Sequence, residues 1–345
     1  MSDLLLLAHG VSYCGPRCAF APGITEPKLI MLWRESSKFH EILQSHLGPL
    51  AHPPGVKKPR TMITGATGQI GSAVLRLAAA NPNLDVVGAV RSAEKAARLG
   101  FPAVLLDFDR PETLAPALEG VDRVFLMTGY TIRMFKQSRD FLNAARRADV
   151  EHIVHLGAPG DDDTPVEHWL WHQFIERYIE WSGFSFTHLR PEIFMQNLLG
   201  YGGIKVIVNG VIRHYVANTR FTWIDGEDIA AVAAESLSKP EEHAERTYRL
   251  GSDVRSYAEI AEILTRVIGQ PFVYEPRPPR EFLAAALAAG ADPTYMQSAY
   301  ENYAAYTAGT NRGEEKLFSS FADVTGRKAA SVEDFIRRHR DAFAY

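Results

Sequence analysis

Residues 61–71 read Thr-Met-Ile-Thr-Gly-Ala-Thr-Gly-Gln-Ile-Gly, and this stretch decides the fold. An apolar strand comes first, a glycine-rich turn follows, and an apolar helix pattern begins directly after the turn. In such a turn Gly65 permits the tight bend, Gly68 lets the backbone approach a diphosphate, and Gly71 lets the helix pack on the strand. Strand, turn and helix together predict a dinucleotide site at the helix N-terminus, with a purely structural turn as the alternative. The cofactor-binding residues predicted in this turn are Gly65, Thr67, Gly68, Gln69, Ile70 and Gly71.

Short apolar segments alternate with helical segments from Thr61 to Arg190. The predicted strands are Thr61–Thr64, Leu84–Val90, Ala103–Leu106, Arg123–Met127, His152–Leu156 and Ser185–Leu189. The predicted helices between them are Gln69–Ala80, Ala93–Leu99, Pro111–Leu118, Arg133–Ala148 and Val166–Ser182. Strands of this kind are typical of parallel sheets that are buried on both faces. The pattern predicts an α/β fold with a Rossmann-type doubly wound parallel sheet and helices on both faces.

The alternation becomes less regular after Arg190. Ile204–Val208 and Val211–Val216 flank Asn209-Gly210, a dipeptide that favours a β-hairpin turn. We expect this part of the chain to form a smaller lobe that closes over a substrate. The helices predicted here are Asp225–Leu237, Tyr257–Ile268, Glu281–Ala289, Pro293–Ala308 and Ser331–Ala342.

Three parts of the chain are therefore expected. Residues 1–60 are rich in proline and glycine and read as an N-terminal extension of uncertain order, with one amphipathic helix possible at Leu32–Leu47. An alternative interpretation is that the natural protein starts at Met62. Residues 61–190 are predicted to form the NAD(P)-binding Rossmann core. Residues 191–345 are expected to form mainly the substrate lobe, with some elements returning to the core.

The end of the second strand indicates which dinucleotide is bound. An NAD site usually has an acidic residue there to accept from the ribose 2′-hydroxyl, but no acid lies within Val86–Ala93. Arg91 instead offers a planar fork of donors that suits a 2′-phosphate, so NADP(H) is favoured over NAD. A solvated surface arginine is the alternative. Residues after the third and fourth strands are predicted to border the adenine and the nicotinamide ribose: Asp107, Phe108, Met127 and Thr128.

Several motifs, taken in order, resemble the NmrA-like branch of the atypical short-chain dehydrogenases. The resemblance covers Thr61 to about Pro276 well and the remainder more loosely. It implies an NADP(H)-binding fold with a substrate lobe, but not an activity. Members of the family include reductases of quinones, imines, dyes and plant phenolics, and also redox-sensing regulators that bind the cofactor without turnover. The motifs are Thr64–Gly71, Val90-Arg91, His188–Pro191 before Phe194 and Asn197, Trp223–Asp225 before Asp228–Ala230, and Thr247–Gly251 before Ser256–Glu259.

The proton relay of ordinary short-chain dehydrogenases is missing from the sequence. That relay uses a serine after the fifth strand and a Tyr-x-x-x-Lys on the next helix. Gly157 stands where the serine is sought, and Tyr178 is followed four residues later by Ser182 instead of lysine. Proton donation therefore needs other side chains.

The helix after the fifth strand offers histidines for this purpose. His168, His172 and Glu176 are four residues apart and share one face. The resemblance places His172 where many members carry a lysine that contacts the nicotinamide ribose. We expect His172 or His168 to supply the ribose contact or the general acid, with an ordinary pKa near 6.5 that allows proton donation at neutral pH. Structural histidines are the alternative, and Tyr130 is a second candidate acid.

No metal site is predicted. The spacing of His168, His172 and Glu176 is not the His-Glu-x-x-His arrangement, and no nearby cysteines complete a ligand set.

The segment after the sixth strand is the predicted substrate wall. The resemblance places Phe194, Met195 and Asn197 around the substrate, and their apolar setting suits a ring or a conjugated system. Core packing is the alternative for Phe194 and Met195. Asp228 is expected to cap or anchor its helix.

Two functions follow from these predictions. The first is an NADPH-dependent oxidoreductase that reduces a small apolar carbonyl, imine, quinone or enone by hydride transfer. The alternative is a non-catalytic NADP(H)-binding redox sensor that acts through a protein partner.

A net charge of −4 gives no basic footprint for nucleic acid, and no apolar run is long enough for a membrane span. Cys14 and Cys18 do not form a redox motif, so a reducing cytoplasm is expected.

Overall fold

The computed structural model describes residues 57–200 and 205–345. The chain divides after Gly55 into two units, and every described residue belongs to the second unit. The possible helix at Leu32–Leu47, and most of the predicted extension, lie outside the described residues. The first strand begins at Arg60, whose backbone N–H donates to Asp122 across 2.6 Å.

Seven parallel strands form the central sheet, in the order β11-β6-β5-β4-β1-β2-β3. From β1 the strands are added toward one edge as β2 and β3, and toward the other edge as β4, β5 and β6. The strand order therefore reverses between β1 and β4, and this point is the topological switch of a doubly wound sheet. Ligands bind at the carboxyl ends of the strands on either side of such a switch. The Rossmann-type α/β prediction is therefore confirmed. The strands are β1 (Arg60–Ile63), β2 (Asp85–Val90), β3 (Ala103–Leu105), β4 (Arg123–Leu126), β5 (His152–Leu156), β6 (Ser185–Pro191) and β11 (Arg246–Leu250).

Helices cover both faces of this sheet. One face carries α1 (Gln69–Ala79) and α6 (Gly226–Ser238), and the other carries α4 (Met134–Arg147) and α5 (Glu167–Trp181). Their apolar residues recur at helical spacing, so each pair buries a continuous core against the strands. The short elements on this part of the chain are α2 (Ala93–Arg98), a 3₁₀ turn (Pro111–Thr113), α3 (Leu114–Leu118) and α7 (Pro240–His243).

A second lobe has its own core around the fully buried Trp223. Two three-stranded sheets support it, in the orders β12-β10-β7 and β13-β9-β8. The hairpin at Asn209-Gly210 is confirmed, and both residues have positive φ, as a type I′ turn requires. The strands are β7 (Ile193–Phe194), β8 (Ile207–Val208), β9 (Val211–His214), β10 (Arg220–Ile224), β12 (Asp253–Ser256) and β13 (Val273–Pro276). The helices in this part of the chain are a 3₁₀ turn (Met195–Leu199), α8 (Tyr257–Ile268), α9 (Pro279–Ala288), α10 (Pro293–Ala308), α11 (Ser320–Thr325), α12 (Val332–Arg338) and α13 (Arg340–Phe343). Of these, α11 returns to the main sheet, where Phe321 joins the core under α6.

Two helix predictions differ in detail from the structure. The segment predicted as a helix at Pro111–Leu118 begins as a 3₁₀ turn, and the one at Ser331–Ala342 is interrupted at His339. Asp225 caps α6, whereas Asp228 accepts from the backbone N–H of Ala330 and so anchors the later segment to this helix. Among the helices of the described residues, none combines the length and apolarity that a membrane crossing needs.

Candidate cofactor and active site

The glycine turn is fixed by the close approach of backbone atoms. Gly65 has φ +63°, and its carbonyl accepts from the N–H of Gly68 across 2.8 Å. A Cβ on Gly71 would lie 2.2 Å from the Gly65 carbonyl oxygen, so a side chain there would displace the backbone. Thr67 and Gln69 are exposed beside the turn, while Ile70 is buried below it.

The first turn of α1 is open to an anion. Gly68 is the N-cap residue and has no side chain to satisfy the first amides of the helix. The first turn carries no acidic residue that would repel negative charge. Free N–H groups and the positive end of the helix dipole therefore meet at the carboxyl edge of β1, an arrangement that favours a phosphate group.

Arg91 follows β2 at this same edge of the sheet. Its side chain is exposed and has no hydrogen bond or ion pair within the described part of the chain. The neighbouring Ser92 accepts from the backbone N–H of Lys95 and so fixes the start of α2. The strand end therefore presents a guanidinium that no carboxylate of the described chain engages.

The end of β4 joins the end of β1 next to the turn. The Thr64 hydroxyl donates to the Phe125 carbonyl across 2.9 Å and accepts from the N–H of Met127 across 2.8 Å. A Cβ on Gly65 would lie 2.1 Å from Cε of Met127, so the methionine packs directly on the turn. Thr128 has a buried hydroxyl without a hydrogen-bond partner among the described residues. A buried hydroxyl without a protein partner is available to hydrogen-bond a bound ligand or a water molecule.

The residues after β3 are held by local contacts. Asp107 accepts from the backbone N–H of Asp109, and its own N–H donates to Thr113. Phe108 packs edge to face on Phe141, with 5.5 Å between the ring centroids. Both predicted adenine neighbours remain partly exposed.

His168 and His172 lie on α5 as expected, but neither is an ordinary acid. Burial lowers the pKa of His168 to about 3 and that of His172 to about 4. Both imidazoles are therefore neutral at pH 7. The expectation of a pKa near 6.5 is wrong because the helix face that carries these rings is packed against other elements.

Ser298 on α10 fixes the orientation of His168. Its hydroxyl accepts from the backbone N–H of His168 across 3.1 Å and lies 2.9 Å from Nδ1 of the same residue. The hydroxyl proton is then free to point at Nδ1. This arrangement favours the tautomer in which Nε2 carries the proton.

Glu176, on the same face as both histidines, forms a buried ion pair. Its carboxylate accepts from Nε of Arg190 at 3.1 Å and from Nη2 at 2.5 Å. Burial raises the pKa of Glu176, and the guanidinium opposes that rise. A Cβ on Gly157 would lie 2.9 Å from Oε1 of Glu176. The carboxylate thus occupies the space beside the position where the usual serine is missing.

Two further histidines, which were not predicted as site residues, meet Glu176 inside the core. His155 on β5 and His188 on β6 are register partners and are completely buried. Ligand-type atoms of His155, His188 and Glu176 lie within 4.8 Å of one another. A cation fits poorly here because the Arg190 guanidinium already neutralises the carboxylate.

Aromatic rings of α10 pack against the loop that follows β4. Asp292, the N-cap of α10, accepts from the Thr131 hydroxyl across 2.6 Å. The buried ring of Tyr295 lies 5.5 Å from Tyr130 and 5.1 Å from His168, measured between centroids. Tyr130 itself is 67% exposed. Tyr295 was not predicted, because only the packing of α10 brings it to the candidate acids.

An aromatic pocket lies in the second lobe. It is lined on one side by Trp169, which is adjacent to His168 on α5. The His214 ring stacks on Tyr257 at 4.4 Å, and burial lowers the pKa of His214 to about 3. None of the side chains that line this pocket carries a charge at neutral pH. Its lining residues with polar side chains include Asn197, Asn302, Tyr303 and Tyr306.

The structure separates the three predicted substrate residues. Asn197 lines the pocket, whereas Phe194 and Met195 are not part of its wall. Met195 is completely buried in the core of the second lobe, and Phe194 packs partly buried against the core of the main sheet. For Met195 the core-packing interpretation therefore describes the structure.

Comparisons with known proteins agree with this architecture. The model of the NmrA-like family matches residues 57–335. The chain is similar to NAD(P)H azoreductase of Xenophilus azovorans, with 32% identity over 82% of this chain and 98% of the relative. Its fold is similar to that of Citrobacter sp. triphenylmethane reductase complexed with NADP(H), with a TM-score of 0.68, 23% identity, and coverage of 81% of this chain and 99% of that one.

A second solved structure has the same fold. The NADPH complex of the quinone oxidoreductase QOR2 of Escherichia coli gives a TM-score of 0.67 and 23% identity, over 81% of this chain and 99% of that one. The family match extends over most of the chain and over both lobes. The chain belongs to the NmrA-like family.

Proposed function

We propose that the protein is an NADPH-dependent oxidoreductase that reduces a small apolar carbonyl, imine, quinone or enone. The observation that carries this proposal is Arg91, which has no partner among the described residues, at the same edge of the sheet as the open N-terminus of α1. The similarity to an NAD(P)H azoreductase along almost the whole length of that relative supports reductase chemistry.

The residues present fit the dinucleotide. Glycines at 65 and 71 keep the turn tight, because a Cβ there would meet Met127 or the backbone of the turn. A diphosphate would then approach the first amides of α1. Arg91 would bind the 2′-phosphate through paired N–H donors. The Thr128 hydroxyl, which is buried without a partner in the described chain, would bind the nicotinamide ribose. Asp107 and Phe108 would border the adenine.

The pocket favours an uncharged, flat substrate. A carboxylate or a phosphate would have to leave water for a wall without a compensating charge, which is costly. Asn197 and the tyrosine hydroxyls give a carbonyl or imine a hydrogen bond, while the rings of Trp169 and Phe221 give apolar contact.

The bound NADPH would supply the hydride, and the protein must supply a proton. On α5 the His172 side chain is partly exposed, while its Nδ1 atom is buried. Because His172 and His168 are neutral at pH 7, each donates from an uncharged N–H. The Tyr130 hydroxyl is a further candidate donor, on a ring that contacts the same Tyr295 ring as His168.

One experiment tests this proposal directly. Calorimetry first measures NADPH and NADH binding to the purified protein. The absorbance of the nicotinamide band is then followed with NADPH and a panel of quinones, imines and conjugated carbonyls. We expect preferential NADPH binding and oxidation with at least one uncharged member of the panel. If neither dinucleotide binds, the proposal fails.

A redox sensor is the second candidate function. The missing serine and Tyr-x-x-x-Lys favour it, because a regulator needs the cofactor site but not the relay. Tight NADPH binding without oxidation across the whole panel would favour the sensor, which would then act through a protein partner.

A further inference from the structure

Three histidine rings contact one another in succession next to the candidate site, and the proposed function uses only one of them. The rings of His188 and His155 are 5.7 Å apart between centroids, and those of His155 and His172 are 5.8 Å apart. We call His172, His155 and His188 the histidine row. They come from α5, β5 and β6, so the register of two strands and the packing of one helix bring them together.

The histidine row extends from the protein surface to the face of α5 that carries the candidate proton donors. Nε2 of His188 lies 3.3 Å from Oε1 of Glu180, whose side chain is 20% exposed. At the other end His172 remains partly exposed, one helical turn after His168. A carboxylate in contact with solvent and a candidate proton donor are thus joined by buried imidazoles.

The ring nitrogens inside the row have unused hydrogen-bonding capacity. Both nitrogens of His155, both nitrogens of His188 and Nδ1 of His172 are buried without a hydrogen-bond partner among the residues that the structure describes, although Nε2 of His188 lies 3.3 Å from Oε1 of Glu180. Buried polar atoms are normally satisfied by protein or by ordered water. Nitrogen atoms of His155 and His188 lie within 4.8 Å of each other. One water molecule with two ordinary hydrogen bonds of about 2.8 Å spans such a gap.

We propose that the histidine row, bridged by water, is a proton relay from solvent at Glu180 to the substrate at His172. This inference rests on the proposed function. When bound, NADPH would supply a hydride, so a C–H bond of NADPH breaks and the substrate gains two electrons. The oxygen or nitrogen atom of the substrate then becomes basic. The N–H bond at Nε2 of His172 then breaks as the new O–H or N–H bond forms. Nδ1 of His172 receives a proton from the row, and solvent replaces that proton through Glu180.

Neutral imidazoles suit this task. Burial lowers the pKa of His172 to about 4, that of His188 to about 3, and that of His155 well below its usual value. A neutral imidazole donates from one nitrogen while it accepts at the other, so it passes a proton without holding a charge at rest. The nearby Arg190 guanidinium lowers the pKa of His155 further and so opposes a trapped imidazolium.

The kinetic test uses glutamine variants, because an amide keeps polar contacts but cannot relay a proton. His155→Gln and His188→Gln are compared with His152→Gln, which removes another buried histidine of β5 that lies outside the row and binds Ser185. We expect kcat with an imine or carbonyl substrate to fall about 10- to 100-fold in the row variants. KM and NADPH affinity should stay unchanged, the solvent isotope effect on kcat should rise, and added imidazole should restore turnover in His188→Ala. The control should keep the kcat of the natural protein.

A second readout needs no cofactor. In protein labelled with ¹⁵N-histidine, the ring N–H proton of the completely buried His155 should exchange with solvent more slowly in His188→Gln than in the natural protein or in His152→Gln. Unchanged exchange, or an unchanged kcat in both row variants, would overturn the relay and leave the proposed function standing. A stoichiometric metal ion that is lost in His155→Gln would also overturn the relay. Failure of the natural protein to bind NADPH refutes the proposed function first and removes the reaction that the relay serves.

Discussion

Replacing Arg91 with alanine tests the choice of cofactor most directly. The guanidinium is exposed and unpaired in the described chain, so its removal breaks no contact that stabilises the fold. Hydrogen bonds between charged partners each contribute about 1.5–3 kcal/mol, and solvent screening at an exposed site brings a bidentate pair to the lower part of that range. A loss of about 2 kcal/mol corresponds to a rise of about 30-fold in Kd, at 1.36 kcal/mol per tenfold change.

Calorimetry on Arg91→Ala should therefore show NADPH affinity about 30-fold weaker, whereas NADH, which lacks the 2′-phosphate, should bind as before. Arg98→Ala is the matched control, because Arg98 is an exposed arginine on the adjoining α2 that pairs with Glu94. Both variants should unfold at the temperature of the natural protein. An unaltered NADPH Kd, or an equal loss for NADH, would show that Arg91 does not select the phosphorylated ribose.

Three further predictions concern the turn and the histidines of α5. Gly71→Ala should abolish dinucleotide binding and cost at least about 2 kcal/mol of stability, because its Cβ would lie 2.2 Å from a backbone oxygen, whereas Gly129→Ala has open space and should be tolerated in thermal unfolding. His172 has a pKa of about 4 when folded and near 6.5 when unfolded, so the folded state binds fewer protons between these values and stability falls as pH drops through this window. Its share of the unfolding free energy lost between pH 7 and pH 5 is about 1–2 kcal/mol, and denaturant titration of His172→Gln should show a correspondingly flatter pH dependence. Ser298→Ala should cost about 1 kcal/mol and release the fixed tautomer of His168, and an unchanged ¹⁵N spectrum of that ring would contradict the hydrogen bond as we assign it.

The local elements of this protein follow from short stretches of sequence. The bounds of the six strands predicted before Arg190 agree with the structure within two residues, and β5 has the predicted bounds. The helices α8 and α10 begin and end at the predicted residues. These features depend on apolar periodicity, turn residues and caps, all of which act over a few neighbouring positions. The Asn209-Gly210 hairpin and the capping box of α8 belong to the same class.

The parts of the site beyond the glycine turn depend on tertiary packing, so they could not be predicted from local sequence patterns. His155 meets His188 only through the register of β5 and β6, and Tyr295 reaches His168 only through the packing of α10 against α5. No local pattern encodes such distances. The same holds for charge, because a pKa depends on what buries the ring, and burial makes His172 a neutral group.

Sequence by itself determined that a glycine turn joins a buried strand to a helix, and that no acid lies within Val86–Ala93 at the end of β2. Those facts are chemical properties of adjacent residues. Tertiary structure decided that Met195 belongs to a core while Asn197 lines a pocket, although the two lie on one short turn. Their positions differ because the side of a turn that is buried depends on distant elements that pack against it, and sequence spacing does not specify those contacts.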